Sequence, residues 1–200
     1  MAHDPPVTAG KVAQRREAKV AAIVAAAWKL AGEQGLAGLS LHGLAREVGM
    51  RQPSLYGYFD SKHALYDAMF ADGNRRLLER IEAATLPRDP RSALKKFLAT
   101  FMAFALEDPA RSELLFQRHI PGFVPSPESY ALAEQALEHF GKLMHGAGVT
   151  NQADIDCLVA MIGGLMEAQL SNDPGGNRWT RHLNRLVDLI VDDAIARRRP

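Results

Sequence analysis

The sequence predicts an all-α protein of about nine helices, and three observations lead to that prediction. No segment sustains the alternation of apolar and polar residues that marks a half-buried strand. Apolar residues instead recur at intervals of three and four, for example between Leu94 and Phe101. Prolines, glycines and N-capping side chains divide the chain into segments of helical length.

The order of the helices follows from these breaks. A flexible arm is expected at residues 1–10, and Gly35 should end the first helix. Ser61, Ser126 and Asn151 have the side chains of N-caps and stand before later helices. The expected helical segments are 11–34, two short helices between 40 and 59, 62–84, 91–107, 109–117, 127–146, 152–170 and 178–197.

Composition narrows the class of protein. The chain has 200 residues, of which 47% are hydrophobic, so it can bury a sizeable core. Its net charge is only +1, but residues 1–62 carry 8 Lys and Arg against 5 Asp and Glu, whereas the remainder carries 16 against 18. The single cysteine, Cys157, cannot form an internal disulfide. Because the sequence also has no membrane-spanning apolar run and no signal-peptide core, we expect a cytoplasmic protein with no membrane partner.

Two short helices joined by a tight turn are predicted directly after the first helix. Ser40 precedes the apolar stripe from Leu41 to Val48 as its N-cap. Gly49 follows this stripe, where the end of a helix favours a left-handed residue. Pro53 is tolerated in the first turn of the second short helix. Because Gln52 precedes this proline, we expect its backbone to be extended.

The second short helix exposes an unusual set of side chains. A solvated helix usually carries Lys and Glu, whereas this one turns outward Gln52, Pro53, Ser54, Tyr56 and Gly57. In a DNA major groove, Gln pairs with adenine, Ser bonds to several bases, and glycine permits close approach. The residues alone leave two interpretations open, a DNA-reading helix or an ordinary helical hairpin with a half-buried tyrosine.

A set of residues at fixed spacing extends this pattern in both directions. The set is Ile23-Val24, Ala26-Ala27, Gly35, Leu44-Ala45-Arg46-Glu47-Val48-Gly49, Ser54-Leu55-Tyr56, Tyr58-Phe59 and Ser61-Lys62. With these residues, the region from about Ile23 to Leu65 resembles the DNA-binding domain of the TetR family of transcriptional regulators. Arg51 departs from the family pattern, which commonly has a serine cap at this position, and so becomes an additional candidate DNA contact.

The resemblance implies a three-helix DNA-binding domain over residues 11–62 and a larger helical effector-binding and dimerisation domain over residues 63–200. Lys62 begins the fourth helix, where free backbone N–H groups favour an anion, and is expected to bind phosphate. For His42, contact with phosphate, contact with a base and simple exposure all remain open. The candidate DNA contacts are Ser40, His42, Arg51, Gln52, Pro53, Ser54, Tyr56, Gly57, Tyr58 and Lys62.

The middle of the chain is rich in large, adaptable apolar side chains. Such residues usually form the core, but in a family that senses small molecules they can line a cavity. The candidate ligand contacts are Phe97, Phe101, Met102, Phe104, Phe116, His119, Phe123, Phe140, Met144 and Met161.

The last two helices carry broad apolar stripes. These stripes could be buried against the same chain, but the resemblance implies a four-helix interface between two copies. The candidate interface residues are Ile155, Val159, Ile162, Met166, Trp179, Leu183, Leu186, Val187 and Ile190.

No enzyme signature accompanies these features. His139 and His145 are six positions apart, so they do not share a ligand face on a helix, and no His-Glu-x-x-His motif or glycine-rich phosphate loop occurs. We therefore expect no catalytic activity and no cofactor. The sequence predicts a homodimeric, ligand-responsive DNA-binding regulator, most simply a repressor that a small hydrophobic effector releases from a palindromic double-stranded operator. The alternative is a helical small-molecule binding protein without a DNA role.

Overall fold

The structure, a computed structural model, describes residues 7–117 and 119–198 of the chain. Within these residues it contains nine α-helices, one 3-10 helix at Thr180–His182 and no strand, which confirms the predicted all-α class. The helices are α1 (Val7–Gly38), α2 (Leu41–Glu47), α3 (Gln52–Tyr56), α4 (Lys62–Ala83), α5 (Pro90–Glu107), α6 (Pro109–Phe116), α7 (Pro127–Gly146), α8 (Gln152–Asn172) and α9 (Leu183–Ala196).

The first helix differs from its predicted bounds at both ends. It begins at Val7, so four residues assigned to the flexible arm are helical, and residues 1–6 of that arm lie outside the described residues. The helical conformation is interrupted at Gly35, which has φ 73° and ψ 163°, and resumes for one short turn up to Gly38. Only glycine adopts such a backbone readily, so the predicted stop at this residue has a direct structural cause.

Side-chain caps begin most of the following helices. The Ser40 and Ser61 hydroxyls each accept a hydrogen bond of 3.0 Å from the backbone N–H three residues later. The Asp108 carboxylate caps α6 in the same way, and Asn151 caps α8. Because these contacts are local in sequence, they fix where each helix begins independently of the tertiary fold.

Two hydrophobic cores organise the helices, and α4 belongs to both. The N-terminal core joins α1, α2, α3, the first half of α4 and one face of α6, and the C-terminal core joins the second half of α4 with α5, α7, α8 and α9. Leu65 and Met69 belong to the N-terminal core, whereas Leu77 and Ile81 belong to the C-terminal one. The N-terminal core therefore extends beyond residue 62, since the third turn of α4 and Leu114 of α6 complete it.

One carboxylate fastens α4 to the start of α7. The Asp67 carboxylate accepts hydrogen bonds from the Ser126 backbone N–H at 2.7 Å and from the Ser126 and Ser129 hydroxyls at 2.8 Å each. Asp67 follows Tyr66, a residue of the N-terminal core, whereas α7 packs in the C-terminal core. This contact therefore joins the two halves at the middle of the molecule.

Candidate functional site

The turn between α2 and α3 is fixed by backbone hydrogen bonds around one glycine. Gly49 has φ 64°, and its N–H donates to the Arg46 carbonyl at 3.2 Å. The next N–H, that of Met50, donates to the Ala45 carbonyl at 2.8 Å. This pair of bonds is a Schellman motif, which satisfies the last carbonyls of α2 and sets the direction of the chain into α3.

The start of α3 differs from the sequence prediction in one respect. Gln52 was expected to be extended because a proline follows it, but Gln52 is the first helical residue and Arg51 is the extended N-cap, with ψ 142°. The restriction before proline is a preference, and here the helix gains one residue by starting at Gln52. Arg51 makes no side-chain cap, so its backbone carbonyl alone accepts from the Ser54 and Leu55 N–H groups, at 2.9 and 3.3 Å.

The outer face of α3 is polar, small and accessible. Leu55 and Phe59 are buried, and this orientation leaves Pro53, Ser54 and the 47% exposed Tyr56 on the opposite side. Gln52 is half-buried because its Oε1 lies 3.3 Å from Nδ1 of His42 on α2. The face therefore offers an amide, two hydroxyls and a flat apolar edge, the groups that read base edges in a major groove.

One predicted phosphate contact, Lys62, follows α3 closely in the chain. Lys62 opens α4, with its Nζ 3.3 Å from the Ala37 carbonyl and 5.4 Å from the centre of the Tyr66 ring. The Tyr66 hydroxyl donates to the Leu36 carbonyl at 2.8 Å, so it fastens α4 to the end of α1. Lys62 therefore lies in the first turn of α4, and the free N–H groups at the start of a helix favour an anion.

Arg16 is a residue of this region that the sequence prediction missed. Its guanidinium group donates to the Gly57 carbonyl at 3.2 Å and lies 5.1 Å from the centre of the Tyr58 ring. Arg16 therefore supports the C-terminal end of α3 from α1, and Tyr58 contributes its ring to this support. No short-range pattern links positions so far apart in the chain, so only the fold reveals the contact.

A cavity of about 340 Å³ lies in the C-terminal half. Its walls come from α4, α5, α6, α7 and α8, and Tyr130, Leu137 and Val159 are both exposed and part of the lining, so the cavity opens to the surface between α7 and α8. Gly73 of α4 lets α6 approach closely at one wall, because a Cβ there would lie 2.9 Å from a methyl group of Leu115. The lining residues are Phe70, Asn74, Leu77, Ile81, Phe97, Leu98, Phe101, Leu115, Phe116, Tyr130, Ala133, Ala136, Leu137, Phe140, Val159, Ile162, Gly163 and Met166.

Only some of the candidate ligand contacts belong to this lining. Those that do are Phe97, Phe101, Phe116 and Phe140, and those that do not are Met102, Phe104, His119, Phe123, Met144 and Met161. Phe104 packs instead against the Arg111 guanidinium at 3.8 Å, and Phe123 lies against His63, Tyr66 and Phe70 on the outer side of α4. Met102 and Met144 are core residues and His119 is exposed. The physical reason is that the rotation of each helix about its axis decides which side chains face the cavity, and composition does not determine this rotation.

The candidate interface residues also divide into two groups. Ile162, Met166, Leu183 and Val187 are buried in the C-terminal core, and so they face their own chain. Ile155, Trp179, Leu186 and Ile190 are half-buried, and Val159 is 52% exposed. The exposed residues of α8 include the small Ala160, Gly163 and Gly164, and Leu189 is 54% exposed on α9.

A charged network joins the ends of α4, α5 and α6. The Glu107 carboxylate lies 2.5 Å from the Arg80 guanidinium and 3.4 Å from that of Arg111. The hydrogen bond from Arg80 holds the pKa of Glu107 below its ordinary value, and the two positive charges act in the same direction. Arg111 is itself buried and donates to the Phe104 carbonyl at 2.6 Å.

Metal sites and membrane-spanning helices are absent from the described residues. Across residues 7–117 and 119–198, no group of three or more His, Cys, Asp or Glu side chains is arranged to hold a metal ion. In this part of the chain no helix combines the length and the apolar character needed to span a membrane. Cys157 is exposed on α8.

Comparison with known proteins agrees with this arrangement. Residues 23–69 match the family described as bacterial regulatory proteins, tetR family. The HTH-type transcriptional regulator Rv1816 of Mycobacterium tuberculosis is 30% identical over 125 residues, which are 61% of this chain and 53% of that protein. The chain spans about half the length of the curated relatives that it matches.

Solved structures share the fold over most of the chain. The TetR family transcriptional regulator PfmR from Thermus thermophilus has a TM-score of 0.63 at 22% identity, over 85% of this chain and 97% of that one. BioQ, solved with its natural double-stranded DNA operator, has a TM-score of 0.62 at 21% identity, over 88% of this chain and 98% of that one. At these identities the likeness establishes the fold alone.

Proposed function

Because this chain is a member of the tetR family of bacterial regulatory proteins, we propose that it is a ligand-responsive, DNA-binding transcriptional repressor. In this proposal residues 11–62 read a palindromic operator, and residues 63–200 bind a small hydrophobic effector and pair with a second copy. The effector then lowers the affinity of the dimer for its operator. The proposal includes no catalytic step.

The observation that carries the proposal is the outer face of α3. This face presents Gln52, Ser54 and Tyr56 to solvent, while α2 and the first turn of α4 flank it with a histidine and a lysine. Gln52 is the candidate for reading a base pair, since its amide can pair with adenine. Lys62, Tyr56 and Ser40 are candidates for phosphate contacts, which fix register without reading sequence.

The direct test is selection of DNA from a random pool by the purified full chain. We expect recovery of a palindrome whose half-sites are about one helical turn apart, roughly 34–36 Å, as two symmetry-related recognition helices require. Recovery of no common sequence, together with uniformly weak binding, would contradict a specific operator.

The proposed response is a shift between two conformations. In one conformation the separation of the two α3 helices in the dimer matches successive major grooves, and in the other it does not. An effector that prefers the second conformation would weaken DNA binding by the coupling free energy, typically about 1–3 kcal/mol. The shared helix α4 supports this route, because its first half belongs to the N-terminal core and its second half lines the cavity. Coupling is reciprocal, so operator DNA must weaken effector binding by the same factor.

The proposed dimer uses the exposed sides of α8 and α9. Gly164 is exposed and leaves open space beside α8, which permits another helix to approach closely, and Leu189 is an exposed apolar residue of α9. Leu189→Glu would place an unpaired charge in such an interface, and burial of that charge is costly. We expect sedimentation to show a monomer for this variant and a dimer for Val12→Glu, a matched change at an exposed residue of α1. A stable Leu189→Glu dimer would require a different interface.

The cavity also favours a second candidate function, a small-molecule binding protein without a DNA role. This alternative would leave the exposed face of α3 without a partner. The DNA selection separates the two, because the alternative predicts ligand binding and no selected sequence.

A further inference from the structure

We propose that the cavity takes an uncharged, largely aromatic molecule that donates one hydrogen bond to the side-chain oxygen of Asn74. This inference rests on the proposed effector role of the cavity and adds the chemical class of the effector. It follows from three features of the lining, which are the absence of charge, the flat aromatic walls and a single buried amide.

The first feature is that none of the lining residues carries a charge. An ionised carboxylate or ammonium group inside such a site would lose its hydration without gaining a partner, which is costly. The exposed charged residues beside the mouth include Glu134 and Glu138, on either side of Leu137, and Glu167, next to Met166. Lys142 is already paired with Glu138 at 2.7 Å. A ligand whose carboxylate stayed at the mouth would therefore meet carboxylates of the protein.

The second feature is the shape of the walls. Phe97 and Phe140 have nearly parallel rings, with 24° between their planes and 6.0 Å between their centres. Phe101 and Phe116 have ring centres 4.9 Å apart. Aromatic faces of this kind pack well against flat rings. A volume of about 340 Å³ lies at the low end of the range of roughly 300–1,000 Å³ for ligand pockets, so a molecule of one or two rings fits it best.

The third feature is Asn74, which lies on α4 and is only 3% exposed. Its Nδ2 donates to the Phe70 carbonyl at 2.9 Å. A carbonyl can only accept, so this bond fixes the orientation of the amide and turns Oδ1 the other way. Oδ1 accepts no hydrogen bond from any residue that the structure describes. A ligand that covered this acceptor without donating to it would leave it buried and unpaired, which is costly, so the site selects a ligand with a donor.

The test uses four naphthalene derivatives substituted at the same ring position, namely naphthol, methylnaphthalene, naphthoate and naphthylmethylammonium. Calorimetric titration of the full chain at neutral pH without DNA measures the affinity for each. We expect naphthol to bind about three- to tenfold more tightly than methylnaphthalene, as one net hydrogen bond provides. The two charged probes should bind at least tenfold more weakly than naphthol.

The variant Asn74→Leu should remove the preference for naphthol and keep the binding of methylnaphthalene. The matched control is Asn172→Leu, because Asn172 donates to the Ala168 carbonyl at 3.1 Å in the same i−4 pattern but is exposed at the end of α8. This control should retain the full preference. If Asn74→Leu does not fold, the ranking of the four probes by the unmodified chain still tests the proposed ligand class.

Several outcomes would overturn the inference: tight binding of naphthoate or naphthylmethylammonium, equal binding of naphthol and methylnaphthalene, or no binding of any probe. These outcomes are independent of the operator experiment. A chain that selects an operator but prefers naphthoate keeps the proposed function and loses this inference. A chain that ranks the probes as expected but binds no DNA keeps the ligand class and loses the regulatory role.

Discussion

The two hydrophobic cores of this chain share one helix but are built for different tasks. The N-terminal core is assembled mainly from α1 to α4, closed by hydroxyl caps and by the Tyr66 hydrogen bond to the Leu36 carbonyl, and it holds α3 with a polar face outward. The C-terminal core joins residues from Leu77 to Ala194 and leaves a cavity of about 340 Å³. The N-terminal core holds a fixed surface, whereas the C-terminal core contains a cavity that a ligand can fill.

The difference teaches how a single chain can combine recognition with response. A surface that is proposed to read base pairs must hold its side chains in one geometry, and the N-terminal core fixes this surface with the hydroxyl caps and the Tyr66 hydrogen bond. A site that responds to a ligand must instead gain stability when occupied. Since α4 contributes to both cores, a ligand in the cavity of the C-terminal core can change the position of the N-terminal core and of α3.

The largest expected effect tests the packing of the two cores with the same substitution. Leu44 of the N-terminal core is fully buried, whereas Leu77 is 2% exposed and lines the cavity. Leu44→Ala should lower the free energy of unfolding by about 2–5 kcal/mol. Leu77→Ala should cost less, because a side chain with a void on one side already lacks contacts there. Urea denaturation of both variants measures the two losses in unfolding free energy. Equal losses would contradict the expected difference in packing between the cores.

The next effect concerns the contact that joins the halves. Asp67→Ala leaves the Ser126 N–H and the buried Ser129 hydroxyl without their acceptor. Hydrogen bonds to a charged group are each worth about 1.5–3 kcal/mol, so we expect a loss of that order in unfolding free energy. The coupling between effector and operator should also fall.

The matched control for Asp67→Ala is Asp156→Ala. The Asp156 carboxylate accepts only within α8, from Gln152 at 2.8 Å, and is exposed. This change should leave both stability and coupling close to those of the unmodified chain. An Asp67→Ala protein with full coupling would show that the two halves communicate by another route.

A third pair of changes separates two roles within the proposed DNA-binding surface. Gln52→Ala should lose about 1–3 kcal/mol of discrimination at one base pair. Lys62→Ala should weaken binding to all sequences and reduce the slope of log K against log salt by about 0.9, as loss of one phosphate contact does. Binding titrations over several salt concentrations and single-base operator variants distinguish the two patterns. If both substitutions gave the same pattern, the two assigned roles would be wrong.

The smallest effect is electrostatic and lies at the ends of α4, α5 and α6. The pKa of Glu107 is lowered in the folded chain by the hydrogen bond from Arg80, so its ionised form stabilises the fold above the ordinary pKa of a glutamate. That contribution is lost as the pH falls through the lowered pKa. Because the pair is partly exposed, we expect at most about 1 kcal/mol.

Comparison of Glu107→Gln with the unmodified chain over a range of acid pH measures this contribution. The difference in unfolding free energy should be largest at neutral pH and vanish in acid. Glu138→Gln is the comparison for an ion pair within one exposed helix face, because the hydrogen bond from Lys142 also lowers the pKa of Glu138. Its difference should have the same sign and be smaller. A difference that grew in acid would contradict the sign of the pKa shift.

The sequence predicts the helices well because their ends are set by local chemistry. Ser40, Gly49 and Ser61 act through contacts with backbone groups at most four residues away, so their effect does not depend on the tertiary fold. The exposed face of α3 follows from the same local reasoning, since burial of Leu55 fixes the opposite side. Gln52 was the local exception, because the preference of a residue before proline yielded to a helix start one residue earlier.

The cavity lining is less predictable because it depends on how long helices rotate against one another. Phe101 and Phe104 are three positions apart on α5, yet Phe101 lines the cavity and Phe104 packs against Arg111. Both residues are phenylalanines of the same helix, so the sequence alone does not show which of them faces the cavity. Asn74 was missed because a polar residue within a long helix is usually exposed, and only the packing of α4 buries it.

The close approach of α4 and α6 at Gly73 has a consequence for how this protein can evolve. An alanine there would press its methyl group against Leu115, which lines the cavity and can be displaced into it. Gly73→Ala would thus place protein atoms permanently in part of the proposed effector cavity, as a bound ligand does reversibly. We expect selection for strains that no longer respond to the effector to recover this substitution, and their regulator to be fixed in one state by a single carbon atom.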